Sequence, residues 1–132
     1  GHGALVHALR APAFWKSVSA FAPIVHPSAV PWGEKAFSAY LGPDRASWRK
    51  YDAVCLLEDG FRHPSTILVD QGDADQFLER ELQPWHLEKA AAAAGQGLIL
   101  RRHAQYDHSY WFVQSFAVDH LRHHAAVLAD AG

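Results

Sequence analysis

Thr66-Ile67-Leu68-Val69-Asp70-Gln71-Gly72-Asp73-Ala74-Asp75 is the stretch whose reading decides the fold. Its first four residues are β-branched or aliphatic, which suits a pleated, packed strand. They do not alternate with polar residues, so both faces of the strand are buried, as in a parallel sheet. The glycine and the three aspartates that follow make a turn at its carboxyl end.

Outward toward the C-terminus, Pro84 suits the first turn of a helix. That helix runs through Ala90 to Ala94 and stops at Gly95. Leu98-Ile99-Leu100 is the next strand. A polar turn, Tyr106-Asp107-His108-Ser109-Tyr110, leads into a long helix from Trp111 to Leu128, with Phe112, Phe116, Leu121 and Val127 among its apolar positions. Outward toward the N-terminus, Asp52 and Asp44 read as N-caps of short helices, the Asp52 helix ending at Gly60. Lys35 to Leu41 is helical, with Ala36, Phe37, Tyr40 and Leu41 on one face. Residues 23–33, interrupted by prolines, read as an excursion. Ser17 to Ala22 is a short buried strand ended by Pro23. Ala4, Leu5, Ala8 and Leu9 keep helical spacing until Pro12. Gly1 and Gly3 suit the beginning of that helix, where backbone must approach something closely.

The order is helix, strand, helices, strand, helix, strand, helix. Strands alternating with helices imply right-handed crossovers and a parallel sheet. The chain is therefore an α/β unit of about three parallel strands flanked by helices, residues 1–132 without a linker or internal repeat. Three strands are few for such a sheet, and the first would keep an open apolar edge unless further strands pair with it. The chain reads as the second half of something. With no Met among its 132 residues, Gly1 is not expected to be a natural start.

Composition narrows the partners. Hydrophobic residues make up 49% and the formal charge is −2, so a real core is expected and disorder is not. Nothing in that charge points to nucleic acid or an anionic membrane. No run reaches the length of a membrane span. The single cysteine, Cys55, rules out an internal disulfide and fits a reducing compartment, the cytoplasm.

The chemistry gathers at the strand ends. In an open α/β sheet, functional residues lie beyond the carboxyl ends of the strands. Asp75 follows the second strand and His108 the third, so both fall on one edge of the sheet, on neighbouring strands. A histidine there can take and return a proton, and a carboxylate can orient it. On spacing alone, the same residues read as well as turn and capping residues.

Several blocks carry a resemblance. Gly1-His2-Gly3-Ala4-Leu5 is similar to the tail of the nucleophile elbow of the S-formylglutathione hydrolases, the esterase D family of α/β-hydrolases. Ser17 to Ile24, Pro31-Trp32-Gly33, Lys35 to Ser38, Tyr40-Leu41-Gly42, Asp70-Gln71-Gly72, Asp75 to Leu78, Tyr106 to Tyr110 and Asp119 to His124 resemble its later blocks, in order. Val25-His26-Pro27 departs from it, standing where the family often has Cys-Asn-Pro. The resemblance implies the C-terminal part of an α/β-hydrolase fold, Asp75 as triad acid and His108 as triad base, with Asp73 and Asp107 as bystanders. The family's serine would fall three positions before Gly1, outside this sequence. It also implies a serine hydrolase that cleaves a glutathione thioester without a cofactor or metal. The 132 residues alone are then expected to be inactive. Trp32, on the excursion, is a candidate wall of the substrate cleft.

Other classes have their own signals. A general carboxylesterase would share these residues. His120 and His124 lie four apart on a helix and make a usable metal-ligand pair, although helix C-terminal capping explains histidines there as simply. The open strand edge would suit an interaction module, a homodimer or a complementing half.

Overall fold

The computed structural model describes residues 1–131, apart from the side chains of Tyr110, Asp130 and Ala131. Strands β1 (Ser19–Phe21), β2 (Ile67–Gly72) and β3 (Leu98–His103) form one parallel sheet in the order β1-β2-β3. Ala20 pairs with Val69, and Val69 with Leu100. Helix α1 (His2–Arg10) precedes β1. Three helices, α2 (Pro31–Leu41), α3 (Arg45–Trp48) and α4 (Ala53–Glu58), lie between β1 and β2. Helix α5 (Pro84–Ala94) crosses from β2 to β3, and α6 (Tyr110–Ala131) follows β3.

The pleat sorts the two faces. Ala20, Ile67, Val69, Leu98 and Leu100 point to one side, where Leu5 and Leu9 of α1, Val54 and Leu57 of α4, and Leu87 and Ala91 of α5 complete the main core. The other face carries α6 and is more polar. Phe112 at the start of α6 is buried with Ala22 and Leu82. Further along, histidines take the inward positions: His120 reaches Asp70, His123 the Val18 carbonyl oxygen, and His124 both Ser17 and Ser19.

Local rules account for most boundaries. Asp44 accepts a hydrogen bond from the Ala46 N–H, and Asp52 one from the Cys55 N–H, so both cap their helices as read from sequence. Pro84 opens α5, and Gly95 closes it in the left-handed conformation (φ 71°).

Four expectations are corrected. Helix α2 begins at Pro31 rather than Lys35, because proline suits a first helical position and Gly33 lets the turn pack on the Pro27 carbonyl group, where a Cβ would sit 1.9 Å from the oxygen. Its Ala36-Phe37-Tyr40-Leu41 face is only partly covered: the Phe37 ring meets Trp48 edge-on at 5.7 Å, while Tyr40 is exposed. Strand β3 runs on through Arg101 and Arg102 to His103, since those charges are paired with Asp70 and Asp73. On α6, Leu121 is exposed while His120 is buried; the α6 histidines fasten the helix to the sheet instead of capping its end.

Candidate active site

The acid loop begins where β2 ends. Asp75 is buried, and both its oxygens are occupied: Oδ1 accepts from the Phe77 N–H at 2.8 Å, while Oδ2 accepts from Gln71 Nε2 at 3.2 Å and His108 Nδ1 at 2.9 Å. These bonds fix the carboxylate and the rotamer of the imidazole together. His108 sits on the loop after β3 with about half its side chain exposed. Its Nε2 has no hydrogen-bond partner among the described residues. A histidine held through Nδ1 by a buried carboxylate, with Nε2 open, is arranged to take a proton from a hydroxyl at that nitrogen.

The two loops are tied to each other through backbone. The Asp73 N–H donates to the His103 carbonyl oxygen and the Ala74 N–H to that of Tyr106, both at 2.9 Å. Glycine at 72 allows this contact, for a Cβ there would stand 2.2 Å from the Tyr106 oxygen. The register of β2 against β3, Gly72 opposite His103, thereby sets the Asp75–His108 distance.

Bystander aspartates are accounted for. Asp73 pairs with Arg102 at 2.5 Å, and Asp107 is exposed. Trp32 lies one ring removed from His108. Its indole is 4.6 Å from the Phe77 ring, and Phe77 meets His108 edge-on at 5.6 Å. The Trp32 backbone N–H donates to Glu81 Oε2 at 3.0 Å, and Glu81 is buried. Pro31, Trp32, Gln76, Phe77, Arg80 and Glu81 line a cleft of about 490 Å³ on this side. Sequence reasoning missed Gln71, Phe77 and Glu81 as neighbours of the site. Gln71, four residues before Asp75, carried the one local hint.

Behind the site, Asp70 holds the sheet to α6. Its carboxylate accepts from Arg101 Nε and Nη2, His103 Nε2 and His120 Nε2, each at 2.7 Å. Burial by itself would raise its pKa, but the donors from His120, Arg101 and His103 outweigh it and hold the carboxyl well below the usual range. The proposed metal pair is not formed, because His120 is committed to Asp70 and His124 to the two serines.

A parallel sheet with helices on both faces, and an acid and a histidine on the loops after adjacent strands, defines an α/β-hydrolase. The chain belongs to the Esterase family, which it matches over residues 1–123. It is 48% identical over 128 residues to S-formylglutathione hydrolase of Arabidopsis thaliana, covering 97% of this chain and 45% of that protein. The corresponding figures for the Rattus norvegicus S-formylglutathione hydrolase are 46% identity, 97% and 46%. Among solved structures, an S-formylglutathione hydrolase from Agrobacterium tumefaciens superposes with a TM-score of 0.94 at 55% identity, over 97% of this chain and 46% of that one. Esterase B of Lactobacillus rhamnosis shares the fold at 17% identity, with a TM-score of 0.76 over 98% of this chain and 50% of that one. The chain thus spans about half the length, or somewhat less, of the proteins it matches. The resemblance read from the sequence stands.

Proposed function

We propose that this chain supplies the acid and base of a Ser-Asp-His hydrolase that cleaves S-formylglutathione to glutathione and formate. The observation that carries the reading is the 2.9 Å bond between His108 Nδ1 and buried Asp75, with Nε2 unpartnered among the described residues. The identities of 46–48% to S-formylglutathione hydrolases along nearly the whole chain support the choice of substrate.

The serine comes from the part of the protein before Gly1. His108 Nε2 takes the hydroxyl proton as the serine attacks the thioester carbonyl, and Asp75 stabilises the imidazolium that forms. His108 gives that proton to the glutathione sulfur as it leaves, and the formyl group stays on the serine. The neutral His108 then removes a proton from water, which attacks the formyl ester, and passes it to the serine oxygen as formate departs. No cofactor enters this scheme. Trp32 and Phe77 form the wall of the cleft beside His108. The same reading places the protein in the cytoplasm, where glutathione is kept reduced. Strands preceding β1 would close the edge that β1 leaves unpaired in this chain.

The test is hydrolysis of S-formylglutathione by the protein carrying this segment behind a Gly-x-Ser-x-Gly elbow. His108→Ala should lower kcat by about 10⁶-fold and Asp75→Asn by about 10⁴-fold, as the corresponding triad lesions do. Asp73→Asn should leave kcat within a few-fold. Equal losses from the Asp73 and Asp75 variants, or turnover surviving without His108, would overturn the assignment.

A further inference from the structure

Apart from the Asp75–His108 pair and the Asp70 cluster, one group of chemically versatile side chains stands out. The segment after β1 carries His26 and Ser28 against the start of α4, where Asp52 is the N-cap and Cys55 lies in the first turn. His26 Nδ1 is 2.8 Å from Asp52 Oδ2 and 3.9 Å from Cys55 Sγ. Ser28 Oγ is 2.5 Å from the same Asp52 oxygen and 3.6 Å from the sulfur. The nitrogen, oxygen and sulfur donors all lie within 4.8 Å of one another.

We propose that His26, Asp52 and Cys55 bind a single divalent cation of zinc-like softness. The donor set, one imidazole, one carboxylate and one thiolate, is the set that zinc takes. Bonds of about 2.0–2.3 Å at tetrahedral angles put donors roughly 3.3–3.7 Å apart. The present nitrogen–sulfur gap is slightly wider and the nitrogen–oxygen gap slightly narrower, so a small rotation of the His26 ring admits the ion. Asp52 keeps its capping bond meanwhile, because Oδ1 accepts from the Cys55 N–H at 3.0 Å, while Oδ2, which also accepts from the Ser28 N–H at 3.0 Å, is the oxygen turned to His26. Ser28 Oγ, or a water from the adjoining cleft of about 480 Å³, completes four-coordination.

Charge balances. The thiolate and carboxylate neutralise the ion, and binding releases the Cys55 thiol proton together with the proton on His26 Nδ1. Arg45 and Arg49 line the cleft, but neither is an uncompensated cation: Arg49 is held by Asp59 at 3.0 and 2.9 Å, and Arg45 by Glu34 at 3.2 Å. A covalent-catalysis role for Cys55 fits less well. Cys55 and Asp52 face the same imidazole nitrogen, so His26 cannot relay a proton between them as a triad histidine does, and the thiol is buried. The site shares no residue with the Asp75–His108 pair and stands whether or not the hydrolase reading does.

Cobalt(II) titration of this chain tests it, because thiolate ligation gives a near-ultraviolet charge-transfer band and a tetrahedral site gives intense visible bands. The expected result is saturation at one equivalent, displacement by zinc, loss of the charge-transfer band in Cys55→Ser, and at least about tenfold weaker binding in His26→Asn. Circular dichroism on each variant guards against simple unfolding. Cys55 is the sole cysteine, so a cobalt spectrum without the thiolate band, or one unchanged in Cys55→Ser with the fold intact, would overturn the proposal.

Discussion

The Asp70 carboxylate, fully buried on β2, accepts hydrogen bonds from a guanidinium and two imidazoles at once. A charge in that position is stable only while its donors are in place. Asp70→Asn should therefore cost about 3–5 kcal/mol in urea unfolding, the range seen when one member of a buried charge network is removed. Asp73→Asn, which breaks the exposed pair with Arg102, should cost less than about 1 kcal/mol. The pH dependence has a definite sign. The folded pKa of Asp70 is lowered despite burial, through His120, Arg101 and His103, so its contribution is complete above the unfolded value of about 3.9 and drains away as pH falls further. His26 titrates in the other direction. Its bond to Asp52, with help from Cys55, raises it to about 10, so the stability it adds is complete below pH 6.5 and is lost as pH rises through about 10. Unfolding midpoints of His26→Asn and the parent chain should accordingly converge in strong alkali.

Helix α6 is attached by imidazoles as much as by apolar contacts. Burial, and then the neighbouring His123 and His120, lower the pKa of His124, so the neutral ring is the form that the fold favours. Its contribution is complete above pH 6.5 and is lost as pH falls through the lowered folded value. Urea midpoints should decline between pH 7 and 5, and His124→Asn should make that slope shallower. At the opposite end of the sheet, Gly72 lets the β2 loop pack against the loop after β3. Gly72→Ala forces its methyl group toward the Tyr106 carbonyl oxygen, which should cost about 1–3 kcal/mol, as overpacking does. Because the two loops carry Asp75 and His108, activity in the complete enzyme should fall further than that stability loss explains. A mutant that is merely less stable, with unchanged kcat, would break this link between strand register and site.

At the scale of the molecule, the main core lies on one side of the sheet and the polar fastening on the other. Leu9 and Leu57 fill the interior of the first layer, and truncating either to alanine should destabilise the chain by about 2–5 kcal/mol. None of the helices among the described residues is long and apolar enough to cross a membrane. The chain places Asp75 and His108, the proposed acid and base, at one sheet edge, and the nucleophile that they would serve is proposed to lie upstream. Purified by itself, it should hydrolyse p-nitrophenyl acetate no faster than background, and enzyme-like turnover would refute that division of labour.

Local rules wrote much of this into the sequence. The buried strand at 66–72, the caps at Asp44 and Asp52, the Pro84 start and the Gly95 stop each rest on a few neighbouring residues, and each is read without knowing what packs where. Strand alternation with helices then places Asp75 and His108 on one edge, since the carboxyl ends of parallel strands share a side. Tertiary structure alone decided which polar residues meet. Arg101 and Arg102 look like the end of a strand until Asp70 and Asp73 are brought opposite them, and the α6 histidines look like end caps until the sheet is laid against them. The same holds for His26, Asp52 and Cys55, which are up to 29 residues apart and meet only because the segment after β1 folds onto the start of α4. The physical reason is range. Caps and turns are settled within a few residues, whereas a buried charge finds its partners only after the core has fixed the layers.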